Sequence, residues 1–314
     1  MKGALFHILF EEPLIAIVPL NDPISRIIPY LAEKADGERF HCLFAPSWAL
    51  EKAFETRLNQ LRPLIFEFPQ MRSVILAQKP DDIPRIREAG LECLFANHNS
   101  FLDESTIYPE DGVEPVYDAI YNARLLPYKR HHLAYQVENM AVITAKRLID
   151  GDAGNQVLSG YKSLRYSNYD PETGKVDMKP PEGVRHLLSL SRCGLALSAI
   201  EGAMYASGEY GLAGLPIVST PSLGGRDQFY HDDWVKIVEP DPVAIARAVA
   251  DFKQDAPGRD YVRRGTLGLM KPHRERLIHW LEETTGQSLW QNASPNGWLP
   301  QFTHRMLKWH KFPD

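Results

Sequence analysis

Several features that would mark out a class of protein are scarce in this chain of 314 residues. It has only three cysteines, Cys42, Cys93 and Cys193, which lie far apart and form no Cys-x-x-Cys pair. They indicate reduced, buried residues of a cytosolic protein and argue against a disulfide framework or a metal site. No apolar run is long enough to cross a bilayer. The formal net charge is -5, so the composition gives no support for general binding to nucleic acid.

The start of the chain also has little that would direct it to export. It contains one lysine and a short apolar patch, with no small-residue cleavage site before its acidic pair. We therefore expect a cytoplasmic protein. The basic residues Arg57, Arg62 and Arg72 permit, without requiring, peripheral contact with the inner membrane surface.

What the chain does contain is an alternation of short apolar runs and segments of helical spacing. This alternation predicts an α/β protein with mostly parallel strand pairing. In the first half we predict strands at 14–18, 40–44, 64–68, 74–77 and 91–96, with helices at 24–34, 46–61 and 81–89. In the second half we predict strands at 119–122, 157–159, 195–200, 217–220 and 235–238, a turn at 150–155, a loop at 166–181, and helices at 133–148, 184–192, 202–214, 242–252 and 260–285.

The length is sufficient for two domains. An acidic segment at 103–114, with prolines nearby, is typical of a linker. We therefore place a first domain at 1–118 and a second at 119–288. The remaining segment, 289–314, is rich in tryptophan and proline and is a candidate for crossing back to brace the first domain.

The segment 193–225 carries the strongest functional signal. It predicts a strand, a turn, a helix, a second strand and a glycine-containing loop, which is one unit of an open parallel sheet. Ligands of such sheets bind beyond the carboxyl ends of the strands. A helix beginning at Gly202 and Ala203 presents unpaired amides to a phosphate. Glu209, about two turns inside that helix, is placed to accept hydrogen bonds from sugar hydroxyls.

Taken alone, Glu201 and Glu209 are also explained as solvated charges in and near a surface helix. The surrounding pattern favours function, because it resembles the donor-binding core of retaining glycosyltransferases of the GT-B fold (glycosyltransferase group 1, family 4-like). In that family a strand leads to Ser-x-x-Glu-Gly, a helix carries a second Glu, and Ala-x-Gly-x-Pro-Val-Val precedes a Gly-Gly loop. The matching positions are Ser198, Glu201, Gly202, Glu209, Ala213, Gly214, Pro216, Ile217, Val218, Gly224 and Gly225.

The resemblance implies two Rossmann-like, doubly wound domains facing a cleft. It implies that Glu201 orients the donor and that Glu209 holds the ribose of a nucleotide sugar. The donor-binding positions that it implies are Gly202, Ala203, Met204, Glu209, Gly224 and Gly225.

A second segment supports the resemblance. Arg124 and Lys129 stand at the spacing of the family's Gly-Arg-Leu-x-x-x-Lys-Gly element, although Ala123 and Arg130 replace its glycines. The resemblance implies that the two cations clamp the leaving diphosphate, which departs as an anion and must be met by fixed positive charge. Without the neighbouring motif, the same residues are explained as the basic start of a surface helix or as a contact with anionic lipid.

In the first domain the resemblance implies a histidine at a strand end that faces the donor sugar from the acceptor side, and His98, after the predicted strand at 91–96, is the candidate. A histidine in a polar turn is an equal explanation. Asp232 and Asp233 suggest Mg²⁺, but a metal that bridges phosphates needs a carboxylate at the phosphate end, where the two cations already supply charge. We therefore predict no metal and no cofactor.

The resemblance implies a metal-independent glycosyltransferase that moves a sugar from a nucleotide diphosphate donor to a glycan or lipid-linked acceptor, with retention of configuration, as in polysaccharide biosynthesis. Two alternatives stay open. A sugar-nucleotide epimerase or hydrolase of the same fold would consume donor without an acceptor. A non-catalytic protein of this fold would bind the sugar nucleotide without turnover.

Overall fold

The computed structural model describes residues 3–20, 23–145, 167–170, 173, 175–305 and 307–312. The predicted turn at 150–155 and the predicted strand at 157–159 lie outside these residues. The strands in chain order are β1 (Gly3–Glu11), β2 (Leu14–Pro19), β3 (Phe40–Ala45), β4 (Met71–Ala77), β5 (Glu92–Phe95), β6 (Ala119–Asn122), β7 (Met140–Ile143), β8 (Gly194–Ala196), β9 (Ile217–Ser219), β10 (Val235–Ile237) and β11 (Lys308–Lys311).

The α-helices of the described residues are α1 (Ile24–Lys34), α2 (Leu50–Glu67), α3 (Asp82–Glu88), α4 (Pro181–Ser189), α5 (Tyr205–Leu212), α6 (Pro242–Gln254) and α7 (Arg259–Thr285). Short 3₁₀ helices occupy His98–Phe101, Pro127–Lys129, His131–Ala134, Arg226–Phe229 and Trp290–Asn292.

The first sheet has six strands in the order β11-β1-β2-β3-β4-β5. Strands β2 to β5 are parallel, whereas β1 pairs antiparallel with β2, and β11 pairs antiparallel with β1. The parallel strands follow one another in sequence order across the sheet. Because crossovers between parallel strands are right-handed, winding in one direction places α1, α2 and α3 on a single face. Alternate strand residues such as Ala16 and Val18 pack against those helices.

The opposite face of the first sheet is covered by the C-terminal part of the chain. Ile15 and Ile17, which alternate with the helix-facing residues, pack in one cluster with Leu277 and Leu281 of α7. The 27 residues of α7 make a helix about 40 Å long, and its N-terminal half, including Val262, packs against the second sheet instead. One helix therefore contributes to both cores, and the first sheet is completed by residues from the end of the chain.

The second sheet has five parallel strands in the order β10-β9-β8-β6-β7. The chain first moves from β6 to β7, then crosses to the other side of β6 and continues through β8, β9 and β10. This reversal makes the sheet doubly wound, with its topological switch point between β6 and β8. A crevice forms beyond the carboxyl ends of the strands at such a point, and ligands of open α/β sheets bind there.

Two of the predicted elements are wrong. The segment predicted as a strand at 64–68 continues helix α2 to Glu67, because Leu58, Leu61 and Leu64 keep the helical period and are buried against the first sheet. Pro63 lies inside this helix and does not end it. The segment predicted as a helix at 133–148 contains β7, all four residues of which are buried; residues 146–148 lie outside the described part.

Two strands, β1 and β11, were not predicted from the sequence. The alternation of buried and exposed residues in β1 is a strand signal in an N-terminal segment that we considered only as a possible leader. Strand β11 has no apolar run and is defined by its pairing with β1, including Ala4 with His310. Among the described residues, several other predicted elements are present with shifted ends; α4, for example, begins at Pro181, a favoured residue for a first helical position,.

Candidate active site

A cavity of about 340 Å³ opens where the carboxyl ends of the two sheets face each other. Pro19 and Ala45, the last residues of β2 and β3, line it from the first sheet, and Asn122 and Ile143, the last residues of β6 and β7, line it from the second. It thus lies at the switch point of the second sheet, where the topology predicts a ligand site. Seven predicted site residues line it: His98, Arg124, Lys129, Glu201, Gly202, Ala203 and Met204.

The central polar contact of the cavity is an ion pair between Lys129 and Glu201. Lys129 ends the 3₁₀ helix that follows β6, and Glu201 stands in the turn that follows β8, so the neighbouring positions of these strands bring the two side chains together. The same carboxylate oxygen, Oε1, accepts a hydrogen bond from Ser198 Oγ at 2.7 Å. Burial lowers the pKa of Lys129, and the charge of Glu201 opposes that effect.

Arg226, at the start of the 3₁₀ helix that follows the Gly224–Gly225 loop, supports this centre through the backbone and pairs with its neighbour Asp227 at 2.9 Å. Arg226 is 1 % exposed, and its guanidinium donates to the carbonyl oxygens of Ala196 at 3.1 Å and Ser198 at 2.9 Å. It also donates to Thr220 O at the end of β9. Arg226 therefore fixes the ends of two adjacent strands and does not line the cavity.

Arg124 lines the cavity immediately after β6. Its carbonyl oxygen accepts a hydrogen bond from His131 Nε2 at 3.0 Å, which ties the loop that carries Arg124 to the 3₁₀ turn that follows it. Burial, with the nearby charge of Lys129, lowers the pKa of His131 to about 4. This histidine is therefore neutral at pH 7.

His98 reaches the cavity from the first sheet, at the start of the 3₁₀ helix that follows β5. It is 6 % exposed, and its ring lies 4.7 Å from that of Tyr205. Burial lowers its pKa to about 3, so the ring is neutral at pH 7. Among the described residues nothing hydrogen-bonds its buried Nδ1. A buried polar atom without a partner is costly, and here it belongs to a side chain on the cavity wall.

The turn at 201–204 is held against the first sheet's loops. Asn99 Nδ2 donates to Ala203 O at 2.6 Å and to Met204 O at 3.2 Å. Helix α5 begins only at Tyr205, and Met204 before it has a φ of 50°. The expected helix start at Gly202 and Ala203 is therefore wrong by two to three residues, and their amides belong to a turn.

Gly224 and Gly225 do not line the cavity. A Cβ on Gly224, whose φ is 103°, would overlap Glu201 O. The carbonyl oxygen of Gly225 accepts a hydrogen bond from Asn97 Nδ2 at 2.7 Å, and a Cβ here would lie 2.6 Å from Gln78 Cβ. The two glycines let the loop after β9 approach Glu201 and the first sheet closely, which differs from the donor contact that the resemblance implied.

Glu209 also lies outside the cavity lining. It is the fifth residue of the eight in α5, just over one turn inside and not two, and is completely buried. Its Oε1 accepts from Arg305 Nε at 2.7 Å and lies 3.3 Å from His304 Nε2. Burial alone would raise the pKa of Glu209, but the charge of Arg305 and the hydrogen bond to His304 outweigh burial and lower it.

Arg305 is one of the cavity residues that the sequence analysis did not predict, and Lys179 is another. Arg305 stands 96 positions from Glu209 in a segment with no recognised motif, and it lines the cavity together with Leu307. Among the described residues it makes, with Arg124, Lys129 and Lys179, four cationic side chains around the cavity, and Glu201 supplies the single lining carboxylate there. This arrangement suits an anionic ligand.

Two features are absent from the part of the chain that the structure describes. No group of three or more histidine, cysteine or acidic side chains there is placed to hold a metal ion. None of the helices there combines the length and the apolar character that crossing a membrane requires.

Comparison with known proteins identifies the fold of the chain. No family model matches the sequence, and no curated protein matches it. The solved structures that match include the pneumococcal O-GlcNAc transferase GtfA in complex with UDP and GlcNAc, at 11% identity and a TM-score of 0.57 over 87% of this chain and 57% of that one. HepE of Anabaena in complex with UDP and glucose matches at 12% identity and a TM-score of 0.57, over 86% of this chain and 77% of that one.

Sucrose-phosphate synthase from Thermosynechococcus elongatus matches at 13% identity and a TM-score of 0.54, over 82% of this chain and 69% of that one. The chain spans little more than half of the length of GtfA. The chain has two sheets with packed helices, and its structure matches these glycosyltransferase structures. This match confirms the predicted fold class, GT-B.

Proposed function

We propose that this chain transfers a sugar from a nucleoside diphosphate sugar to an acceptor in the cavity between its two sheets. The observation that carries the proposal is the Lys129–Glu201 pair beside Arg124 at the switch point of the second sheet. The similar structures support it, because GtfA is in complex with UDP and GlcNAc, and HepE is in complex with UDP and glucose.

The two cations would stabilise the leaving diphosphate. Lys129 has three N–H donors, so its ammonium can keep Glu201 and also donate to a phosphate oxygen. A bound phosphate also offsets the burial that lowers the pKa of Lys129 and thereby favours its charged form. Each well-placed donor of this kind contributes about 3 kcal/mol to stabilising the transition state. Glu201, fixed by Lys129 and Ser198, would orient the sugar.

We propose retention of configuration. An inverting transfer needs a general base across the sugar from the leaving group, and among the described residues the polar side chains that line the cavity from the first sheet's loops are Ser47 and His98. A histidine with a pKa of about 3 is a poor base at pH 7. The departing phosphate would instead take the acceptor proton on its own face, while His98 Nδ1 hydrogen-bonds a hydroxyl of the sugar or acceptor. NMR of the product's anomeric proton tests this directly.

We also propose that the reaction needs no metal, because the cations of the cavity supply the charge that a metal would give. The acceptor would be a glycan or a lipid-linked sugar. Turnover measured with and without EDTA tests the first statement, and an acceptor screen in the presence of detergent-solubilised polyprenyl-linked sugars tests the second.

The test of the function is a calorimetric screen of UDP, GDP, ADP and dTDP, followed by turnover of the sugar form of whichever binds. The proposal predicts binding of one diphosphate in preference to the others and acceptor-dependent release of that diphosphate. Release without an acceptor would identify a hydrolase or epimerase. Binding without any turnover would identify a sugar-nucleotide-binding protein, and no binding at all would overturn the proposal.

A further inference from the structure

Arg305 has a position that the proposed function does not explain. It belongs to the segment between α7 and β11, far from the second sheet in sequence, yet its side chain lines the cavity and is 44% exposed. The neighbouring strand β11 is paired to β1 of the first sheet. The segment therefore runs from the first sheet's edge to the mouth of the cavity and delivers a guanidinium there.

Glu209 fixes the direction of that guanidinium. Both Nε, at 2.7 Å, and Nη2, at 2.6 Å, approach one oxygen of the Glu209 carboxylate. Among the described residues no group accepts a hydrogen bond from Nη1. The charge of Glu209 is the largest cause of the raised pKa of Arg305, so the guanidinium is fully charged. One edge of the fork is thus occupied, and the remaining donors are left for a ligand.

The backbone at Arg305 is held just as firmly. Its φ is 60°, in the left-handed region that a non-glycine residue rarely adopts,. Tyr205, at the start of α5, donates its hydroxyl to Arg305 O at 2.9 Å, and Asp103 N donates to Nδ1 of the neighbouring His304 at 3.2 Å. Strained residues persist where the surroundings over-determine them, and they concentrate at ligand-binding sites.

These contacts also separate Glu209 from the cavity. Its carboxylate is completely buried, with Arg305 and His304 on one oxygen and Asn122 Nδ2 3.5 Å from the other. A sugar hydroxyl cannot reach it in this arrangement. The role that the family resemblance implied for Glu209, direct contact with ribose, does not fit these contacts.

We propose that Arg305 is a further binding residue for the diphosphate of the donor, and that Glu209 is its positioning residue and no ribose ligand. The inference rests on the proposed function, since it assigns a contact within the same cavity. Arginine suits the task, because its planar fork can hold a carboxylate on one edge and donate to a phosphate from another.

The first test is calorimetric titration of wild type and Arg305→Ala with the diphosphate that wild type binds among UDP, GDP, ADP and dTDP, and with its monophosphate and nucleoside. We expect Arg305→Ala to lower the affinity for the diphosphate about 10- to 100-fold, the range for a charge-assisted hydrogen bond, and to leave the nucleoside unaffected. Arg305→Lys should recover part of the loss. Lys308→Ala removes an exposed charge at the start of the neighbouring strand β11 and should change none of the affinities.

The second test is a double-mutant cycle. In the wild-type background, Glu209→Gln should lower the affinity for the diphosphate. In the Arg305→Ala background it should lower that affinity no further, because a residue that acts only through another shows complete coupling. A Glu209→Gln loss that persists in Arg305→Ala and extends to the nucleoside would show direct ribose contact and overturn the proposal.

Other outcomes are equally decisive. Tighter binding by Arg305→Ala would show that the arginine blocks the cavity, and equal binding would show that the ion pair only ties down the C-terminal segment. Both overturn this inference and leave the proposed function standing, whereas absence of binding by wild type overturns both. Thermal melts report folding, and if Arg305→Ala does not fold, Arg305→Gln takes its place in each titration.

Discussion

Replacing Lys129 by methionine tests the proposed centre in two measurable ways. The side chain is 9% exposed and its partner Glu201 is 8% exposed, so the change keeps the volume and leaves a buried carboxylate with Ser198 as its remaining partner at Oε1. Removing one member of a buried ion pair costs about 3–5 kcal/mol of stability. Loss of one donor to the leaving group costs about 3 kcal/mol of transition-state stabilisation, or roughly a 100-fold fall in turnover.

The double variant Lys129→Met with Glu201→Gln separates the two effects. It leaves no unpaired charge, so we expect urea unfolding to recover most of the stability while turnover stays low. The matched control is Lys236→Met, which breaks an ion pair with Asp251 on the surface and should change stability by no more than about 1 kcal/mol. Turnover in Lys129→Met at the wild-type rate, with the fold intact, would refute the assigned role of Lys129.

Three further predictions follow from the same contacts. His98→Ala should lower kcat/KM by about 10-fold or more without weakening binding of the free diphosphate, because the ring faces the sugar side; weaker diphosphate binding in calorimetry would contradict that placement. Gly224→Ala should lower the free energy of unfolding, measured in urea, several-fold more than Gly268→Ala does. A Cβ at Gly224 overlaps Glu201 O, whereas one at Gly268 meets no atom within 4 Å; equal unfolding midpoints for the two variants would refute this. Burial lowers the pKa of His273 to about 3, so stability should be complete above the unfolded pKa near 6.5 and fall by up to about 1.4 kcal/mol per pH unit as the pH drops towards 3; a His273→Gln variant with the same slope between pH 6 and 4 would rule this out.

The elements that sequence alone predicted are those whose pattern is local. Helix α1 has the predicted bounds because its apolar residues recur at helical spacing and all face the sheet. The helix predicted at 133–148 is wrong, because this segment contains β7, a strand of four residues that are all buried. A short apolar run carries no period of its own, so its pairing with β6 decides its structure.

The site shows the same division. The motifs placed Lys129 and Glu201 near one ligand, but their direct pairing depends on β6 and β8 being neighbours, which strand order decides and local sequence does not state. Gly224 was predicted to bind the donor, but a glycine at this position of the motif is equally explained by a tight loop, because a Cβ there would overlap Glu201 O. Arg305 had no signal at all, because its role depends on β11 pairing with β1.

The most direct test of the central claim is a crystal structure of the chain with the nucleoside diphosphate that it binds best. Our account predicts the diphosphate in the cavity at the switch point between β6 and β8, with phosphate oxygens within hydrogen-bond distance of Lys129 Nζ and the Arg124 guanidinium. A diphosphate bound outside this cavity, or one lying in it without contact to either cation, would contradict the account.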